Sequence, residues 1–216
     1  MEVANRRPLK TRSAAWAGAL ARSLATAGFT PNAVSVIGIG FALGGGFALA
    51  TLPGATSPMA RAGHLIGAAA CVQLRLLCNM LDGLIAVENN LKSKLGDLFN
   101  EVPDRIEDVA LLLGLGVAAG GEWGVTLGWC AALLAVGTAY VRQLGGSLGF
   151  KQDFCGPFAK QHRMFFLTVT CLVGAVMVTT GRINPALPAG LALIAAGTLV
   201  TLMRRLVRLA NAMRAR

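Results

Sequence analysis

Seven of the chain's ten acidic residues crowd into one short stretch: Asp82, Glu88, Asp97, Glu101, Asp104, Glu107 and Asp108. The surrounding sequence is strongly apolar. A carboxylate at membrane depth costs about 2.5–3.5 kcal/mol on insertion scales, so such groups mark functional sites by default. Helical spacing sharpens the pattern. Asn79 and Asp82 are three apart and share one face of a helix. Gly96, Asn100, Asp104 and Asp108 recur every four and share a face of the next helix, with Glu101 at the edge of that stripe. Two facing helices therefore bring together the side-chain oxygens of Asn79, Asp82, Asn100 and Asp104. Ligands of this kind suit Mg²⁺ or Mn²⁺ rather than zinc. Gly83, Ala86 and Gly96 are small and leave room for a bulky phosphate ligand beside the ion. A solvated loop whose acids pair with Lys92, Lys94 and Arg105 accounts for Glu88 and Asp97, but poorly for Asn100 and Asp104, which point to the membrane side.

The elements that position these groups follow from composition. Of 216 residues, 55% are hydrophobic and 14% charged, against about 25% charged in soluble domains. Mean hydropathy is +0.61. Glycine, at 27 residues, is also favoured in membrane helices. The expected fold is all-α: one membrane domain over 1–216, a bundle of six transmembrane helices preceded by an amphipathic interfacial helix. That first helix is placed at 8–28, with Trp16, Leu20 and Leu24 spaced by four between basic flanks. The spans fall at about 33–52, 62–88, 97–119, 124–147, 162–180 and 186–209. Thr30-Pro31-Asn32, Pro53-Gly54, Gly120-Gly121, Gly156-Pro157, and Gly181 with Pro185 separate them. Gly40, Gly44, Gly45 and Gly46 in the first span allow close helix contact. Residues 1–32 do not read as a cleaved signal peptide.

The net charge of +10 is explained by position. Arg6, Arg7, Lys10, Arg12 and Arg22 lie at one end, and Arg204, Arg205, Arg208, Arg214 and Arg216 at the other. Together with the loops at 89–96 and 148–161 the two ends hold most of the Lys and Arg, and the opposite loops hold little beyond Arg61 and Arg182. By the positive-inside rule both termini and the acidic site face the cytoplasm of a bacterial inner membrane. No aromatic residues interleave with the basic ones as a base-stacking platform requires, so no nucleic-acid partner is expected. Five cysteines without CxxC spacing read as packing residues.

The pattern then resembles a known family, the CDP-alcohol phosphotransferases. Their signature runs D-x-x-D-G-x-x-A-R, a short gap, then G-x-x-x-D-x-x-x-D. Here it reads Asn79-Met-Leu-Asp82-Gly83-Leu-Ile-Ala86-Val87, a gap of eight residues, and Gly96-Asp-Leu-Phe-Asn100-Glu-Val-Pro-Asp104. The interfacial helix before Thr30-Pro31-Asn32 and the six-span plan also look like the family. The resemblance implies an enzyme of phospholipid biosynthesis. It implies transfer of a phosphatidyl-type group from a CDP-linked lipid, usually CDP-diacylglycerol, to an alcohol acceptor with release of CMP. It further implies metal held by the motif carboxylates, one or two ions of Mg²⁺ or Mn²⁺, with Asp104 as general base and Asp82 beside it in the catalytic set. Asn32 and Ser35 take positions that would touch the nucleotide, together with Gly83, Ala86 and Gly96; capping a helix serves Asn32 and Ser35 equally well. Membrane lipids and a homodimer complete the expected partners.

Three positions depart from the signature: Asn79 and Asn100 stand for aspartates, and Val87 for arginine. An amide keeps a ligating oxygen and loses a charge, so Glu101, Asp97 or Asp108 would have to turn inward to restore it. A rearranged two-metal site, a one-metal enzyme and an inactive relative acting as a lipid- or nucleotide-binding partner subunit are the three readings. Beyond the motif, Arg142 and Arg163 are candidates for an acceptor or phosphate pocket. Arg142 lies deep in span four and has a site carboxylate as the alternative partner. Lys160, His162 and Arg163 read equally as a basic pocket for the acceptor or for lipid phosphates and as plain positive-inside anchoring. Arg75, one turn before Asn79, fits a salt bridge at least as well as catalysis. A transporter is a third function class, but its ionisable groups would sit at the midplane among broken helices. These acids gather at one edge.

Overall fold

A chain in lipid must satisfy its backbone internally, and continuous helices do so residue by residue. The computed structural model describes residues 15–88, 95–180 and 185–216, apart from the side chains of Glu88, Asp97 and Asn100. Within them the chain is all-helical: α1 (Ala15–Thr26), α2 (Pro31–Thr51), a 3₁₀ turn (Leu52–Gly54), α3 (Pro58–Glu88), α4 (Gly96–Ala119), α5 (Gly121–Ser147), α6 (Lys160–Thr179) and α7 (Ala186–Arg214). Thr30 caps α2, its Oγ1 accepting from the Ala33 N–H at 3.2 Å, and Pro31 fills the first helical position, where no N–H is needed. Gly120 and Gly121 turn the chain between α4 and α5 at φ +83° and +64°, a region open to glycine.

The six long helices close a ring. α2 packs on α3 and α4, α4 on α5, α5 on α7, α7 on α6, and α6 back on α3, while α1 rests on α3. Leu65, Val72, Leu111, Leu115, Leu167 and Ile194 fill the interior. Pro31–Gly54, Pro58–Val87, Gly121–Ser147, Lys160–Thr179 and Ala186–Arg214 are long and apolar enough to cross a membrane. That makes five candidate spans where the sequence reading expects six. The exception is α4, whose first half carries Glu101, Asp104, Arg105, Glu107 and Asp108.

Two packing details differ from expectation. On α1, Leu20 and Leu24 pack with buried Ala17 and Ala21, but Trp16 is exposed. A spacing of four drifts about 40° per step round a helix of 3.6 residues per turn, which carries Trp16 off the buried face. On α2, the contact runs through Gly38, Gly45 and Gly46. A Cβ at Gly40 would meet nothing within 4 Å, and one at Gly44 only the Cys71 sulfur. A Cβ at Gly46 would lie 2.6 Å from the Ala110 carbonyl oxygen of α4. Gly46→Ala is therefore expected to cost about 1–3 kcal/mol through overpacking against backbone. Gly40→Ala should leave stability unchanged or raise it, which thermal unfolding of the two variants in detergent will distinguish.

Candidate active site

The acidic stretch lies where α2, α3 and α4 meet, and the close approach of α2 makes its geometry possible. A Cβ at Gly38 would sit 3.0 Å from Glu107 Oε1 and 3.6 Å from Asn79 Oδ1, so the bare glycine leaves room for both oxygens. The Asn79 amide of α3 donates across the seam to Asp104 Oδ1 at 3.1 Å and to Glu107 Oε2 at 3.0 Å. Asp82, one turn further along α3, is buried and accepts from the Ser35 hydroxyl of α2 at 2.8 Å. Asp82 lies within electrostatic reach of both Asp104 and Lys160.

Below this group is a buried ionic network. Arg75 of α3 donates to Glu107 at 2.5 Å and to Asp108 Oδ1 at 2.8 Å. Arg163 of α6 donates to Asp108 Oδ2 at 2.5 Å and to the Phe158 carbonyl at 3.0 Å. Buried charges persist only when paired and hydrogen-bonded, and here each carboxylate has at least one guanidinium partner. From the opposite side Lys160, the first residue of α6, forms an ion pair with Asp104 and stands 4.0 Å from Glu107. Glu107 Oε1 is buried without a hydrogen-bond partner.

Of the residues singled out from sequence, Asn79 and Asp104 are in direct contact and Asp82 is close by. Asn100 belongs to α4, but its side chain lies outside the described residues, as do those of Glu88 and Asp97. Glu101 departs from the expected ligand position: it accepts from Arg142 at 2.5 Å and Arg105 at 3.3 Å. Asp108 does turn inward, but onto two arginines. Arg142 takes the carboxylate alternative, and Arg163 is structural rather than open to a pocket. Arg75 forms the salt bridges its spacing allowed. Gly83, Ala86 and Asn32 are partly exposed, and a Cβ at Gly96 would meet open space. Ser35 does not cap α2; it holds Asp82. Glu107 and Lys160 stand inside the site although neither is in the predicted ligand set. Glu107 carried a signal, falling three residues after Asp104 on the same helix. Lys160 carried a signal as one of three basic residues at the start of α6, but nothing in the spacing joins α6 to α4, so its contact with Asp104 was not legible.

The donors around Gly38 are oxygens only: Asn79, Asp82, Asp104 and the unpartnered Glu107 oxygen. Their hardness fits Mg²⁺ or Mn²⁺. Among the described residues no three His, Cys, Asp or Glu side chains converge as a metal cage.

Beside the seam opens a cavity of about 460 Å³ lined by Arg142, Phe150, Lys151, Gln152, Arg205 and Arg208, among others. Arg142 joins the two regions, donating to both Glu101 and Gln152 and stacking on Phe154 with 5.1 Å to the ring centre. Arg205 is anchored on the Cys155 and Thr138 carbonyls. Partial burial raises the Asp153 carboxyl in the connecting loop, but the Cys155 N–H and thiol and the Arg208 guanidinium outweigh it and hold the carboxyl below its usual range.

No family model matches the chain. An uncharacterized protein of Aquifex aeolicus is 30% identical over 145 residues, covering 66% of this chain and 68% of the relative. The phosphatidylinositol phosphate synthase of Mycobacterium marinum is 30% identical over 199 residues, covering 87% of this chain and 76% of the relative. The crystal structure of the Mycobacterium tuberculosis phosphatidylinositol phosphate synthase with CDP-DAG bound shares the fold at a TM-score of 0.74 and 24% identity, over 91% of this chain and 94% of that one. The same enzyme in complex with manganese and citrate matches at 0.73 and 24%, over 89% and 88%. An identity that extends across the ring of helices, over three quarters of a curated synthase, places this chain in the CDP-alcohol phosphotransferase family.

Proposed function

We propose that the protein transfers a phosphatidyl-type group from a CDP-linked lipid to an alcohol acceptor, releasing CMP, in phospholipid synthesis. The observation that carries this reading is the convergence of Asn79, Asp82 and Asp104 on one seam, with a buried Glu107 oxygen left over. In this reading α4 is a sixth span, its charged half shielded by α2, α3 and α5. The chain is a single membrane domain whose first helix lies in the interface, and the site faces the cytoplasm of a bacterial inner membrane. Pairing of two copies through the bundle is part of the same reading.

A hydroxyl oxygen of the acceptor attacks the phosphorus that stays with the lipid, and the bond from that phosphorus to the CMP oxygen breaks. CMP leaves with the bonding electrons, and the hydroxyl proton passes to Asp104. Asn79, Asp82 and Asp104, joined in this reading by the motif residue Asn100, would hold a divalent cation, which when bound neutralises diphosphate charge. Ser35 fixes the Asp82 rotamer, and the small residues Gly83, Ala86 and Gly96 admit the nucleotide. Arg142 and the basic cavity beside it recognise the acceptor. Four cationic side chains line this cavity with one carboxylate, Asp153, which pairs with Arg208; the positive balance favours an anionic alcohol, and the named relatives support a phosphorylated inositol.

The test is CMP release by purified protein from CDP-diacylglycerol, with Mg²⁺ or Mn²⁺ and a panel of alcohols with and without phosphate. Release dependent on both metal and acceptor is expected, lost on EDTA addition and recovered on resupply. The absence of release under every combination removes the enzymatic reading and leaves a binding subunit.

A further inference from the structure

We infer that Lys160 stands in for a second divalent ion, so that the site holds one divalent cation per chain and the lysine ammonium supplies the remaining positive charge. The inference rests on the proposed activity and deepens it.

Three observations lead there. First, the arginines in the seam are already committed. Arg75 is shared by Glu107 and Asp108, and Arg163 lies on Asp108. These four groups balance as two positive and two negative charges, which leaves Asp82 on the Ser35 hydroxyl and Asp104 between Lys160 and the Arg105 that it shares with Glu101. Second, Lys160 reaches in from the start of α6 and lays its ammonium on Asp104, with Glu107 at 4.0 Å. Its side chain keeps 21% of its surface exposed, so the ammonium borders open space rather than a sealed core. Third, Glu107 Oε1 is fully buried, has no hydrogen-bond partner and points at the gap left by Gly38. That oxygen marks where a cation would be welcome.

Asp82, Asp104 and Glu101 stand against Lys160, Arg105 and Arg142, so these six groups balance as well. One dication added to that balance leaves two positive charges, which suit an anionic diphosphate. A second dication would leave four beside the lysine ammonium, and their mutual repulsion disfavours it. The amides at positions 79 and 100 and the lysine at 160 thus form one charge device: two carboxylates fewer, one fixed cation more. Lys160 lies on Asp104 Oδ1, so the metal takes the oxygens of Asn79 and Asp82 with Asp104 Oδ2, and the ammonium keeps the α6 side.

The experiment titrates Mn²⁺ into the full-length protein in detergent, following bound metal by elemental analysis and Mn–Mn coupling by electron paramagnetic resonance. One uncoupled Mn²⁺ per chain is expected. Lys160→Met should tighten Mn²⁺ binding at least about tenfold, because a cation beside the ion is removed, while slowing CMP release. Lys160→Arg should restore the weaker affinity. A lysine serving only to fold the chain would leave Mn²⁺ affinity where it was in correctly folded Lys160→Met. The triple variant Asn79→Asp, Asn100→Asp, Lys160→Met should bind two coupled ions. Two coupled ions in the wild type, or unchanged affinity in Lys160→Met, overturns the inference, and wild-type CMP release in the same preparation then leaves the enzymatic reading standing. One ion bound with no CMP release under any acceptor supports the ion count and removes the activity.

Discussion

Asp104→Asn is expected to slow CMP release by about 10²–10⁴-fold, the usual contribution of a positioned general base. The substitution preserves shape. The new amide oxygen can still accept from the Asn79 amide, and Lys160, which loses its ion pair with Asp104, keeps Glu107 at 4.0 Å and one-fifth of its side chain exposed. What it removes is the capacity to take a proton from the acceptor hydroxyl. The kinetic signature follows: kcat falls by the full factor, while the KM for the CDP-lipid moves little, because loss of an interaction made in the transition state does not weaken ground-state binding. A metal titration separates the two roles of the carboxylate. If the Asp104→Asn change merely weakened ion binding, excess Mn²⁺ would restore the rate. A rate that stays low at saturating Mn²⁺ identifies proton transfer. Asp104→Asn protein releasing CMP at the wild-type rate would move the base elsewhere, with Glu107 the nearest remaining carboxylate.

The contrast between Asp104 and Glu101 shows how far the sequence could be read. Helix existence and limits were plain. Thr30-Pro31 opens α2, the Gly120-Gly121 pair separates α4 from α5, and the other long helices begin within about four residues of their expected starts. Period and face were also legible, which is why Asn79 and Asp104 could be paired across two helices before any coordinates. What spacing alone does not fix is the rotation of α4 about its own axis. That depends on which helices flank it, and the ring places α2 on one side and α5 on the other. The rotation turns Glu101 towards Arg142 of α5 and brings Glu107 to Gly38 of α2. The lysine on Asp104 comes from 56 residues further along the chain. No local periodicity connects them. The charge missing at Asn79 and Asn100 was visible in the sequence, but the group that answers it was not. The count of spans turns on the same helix: α4 is apolar only in its second half, and its charged half packs within the ring.

Asp108→Ala is expected to destabilise the protein by about 3–5 kcal/mol, the scale found when one partner of a buried ion pair is removed. Its two oxygens serve different helices: Arg75 of α3 binds Oδ1, and Arg163 of α6 binds Oδ2. All three side chains are at most 2% exposed. Removing the carboxylate leaves two buried guanidiniums with Glu107, the Phe158 carbonyl and the Thr138 hydroxyl as their remaining acceptors among the described residues. The penalty is that of stranded charge, so Asp108→Asn, which keeps the volume, should recover only part of the loss. Glu101→Ala supplies the comparison. Its pair with Arg142 is one-third exposed on the carboxylate side, and such pairs contribute about 1 kcal/mol or less. Thermal unfolding in a single detergent will rank the three variants, with Asp108→Ala lowest and Glu101→Ala near wild type. Equal midpoints for Asp108→Ala and Glu101→Ala would mean that water reaches the network, and the seam would then be an open cleft rather than the dry floor on which Asn79 and Asp104 are held. Because Arg75 also fixes Glu107, the loss of Asp108 should carry through to the site: Mn²⁺ affinity should fall in Asp108→Ala even at temperatures where the chain remains folded, and stay unchanged in Glu101→Ala.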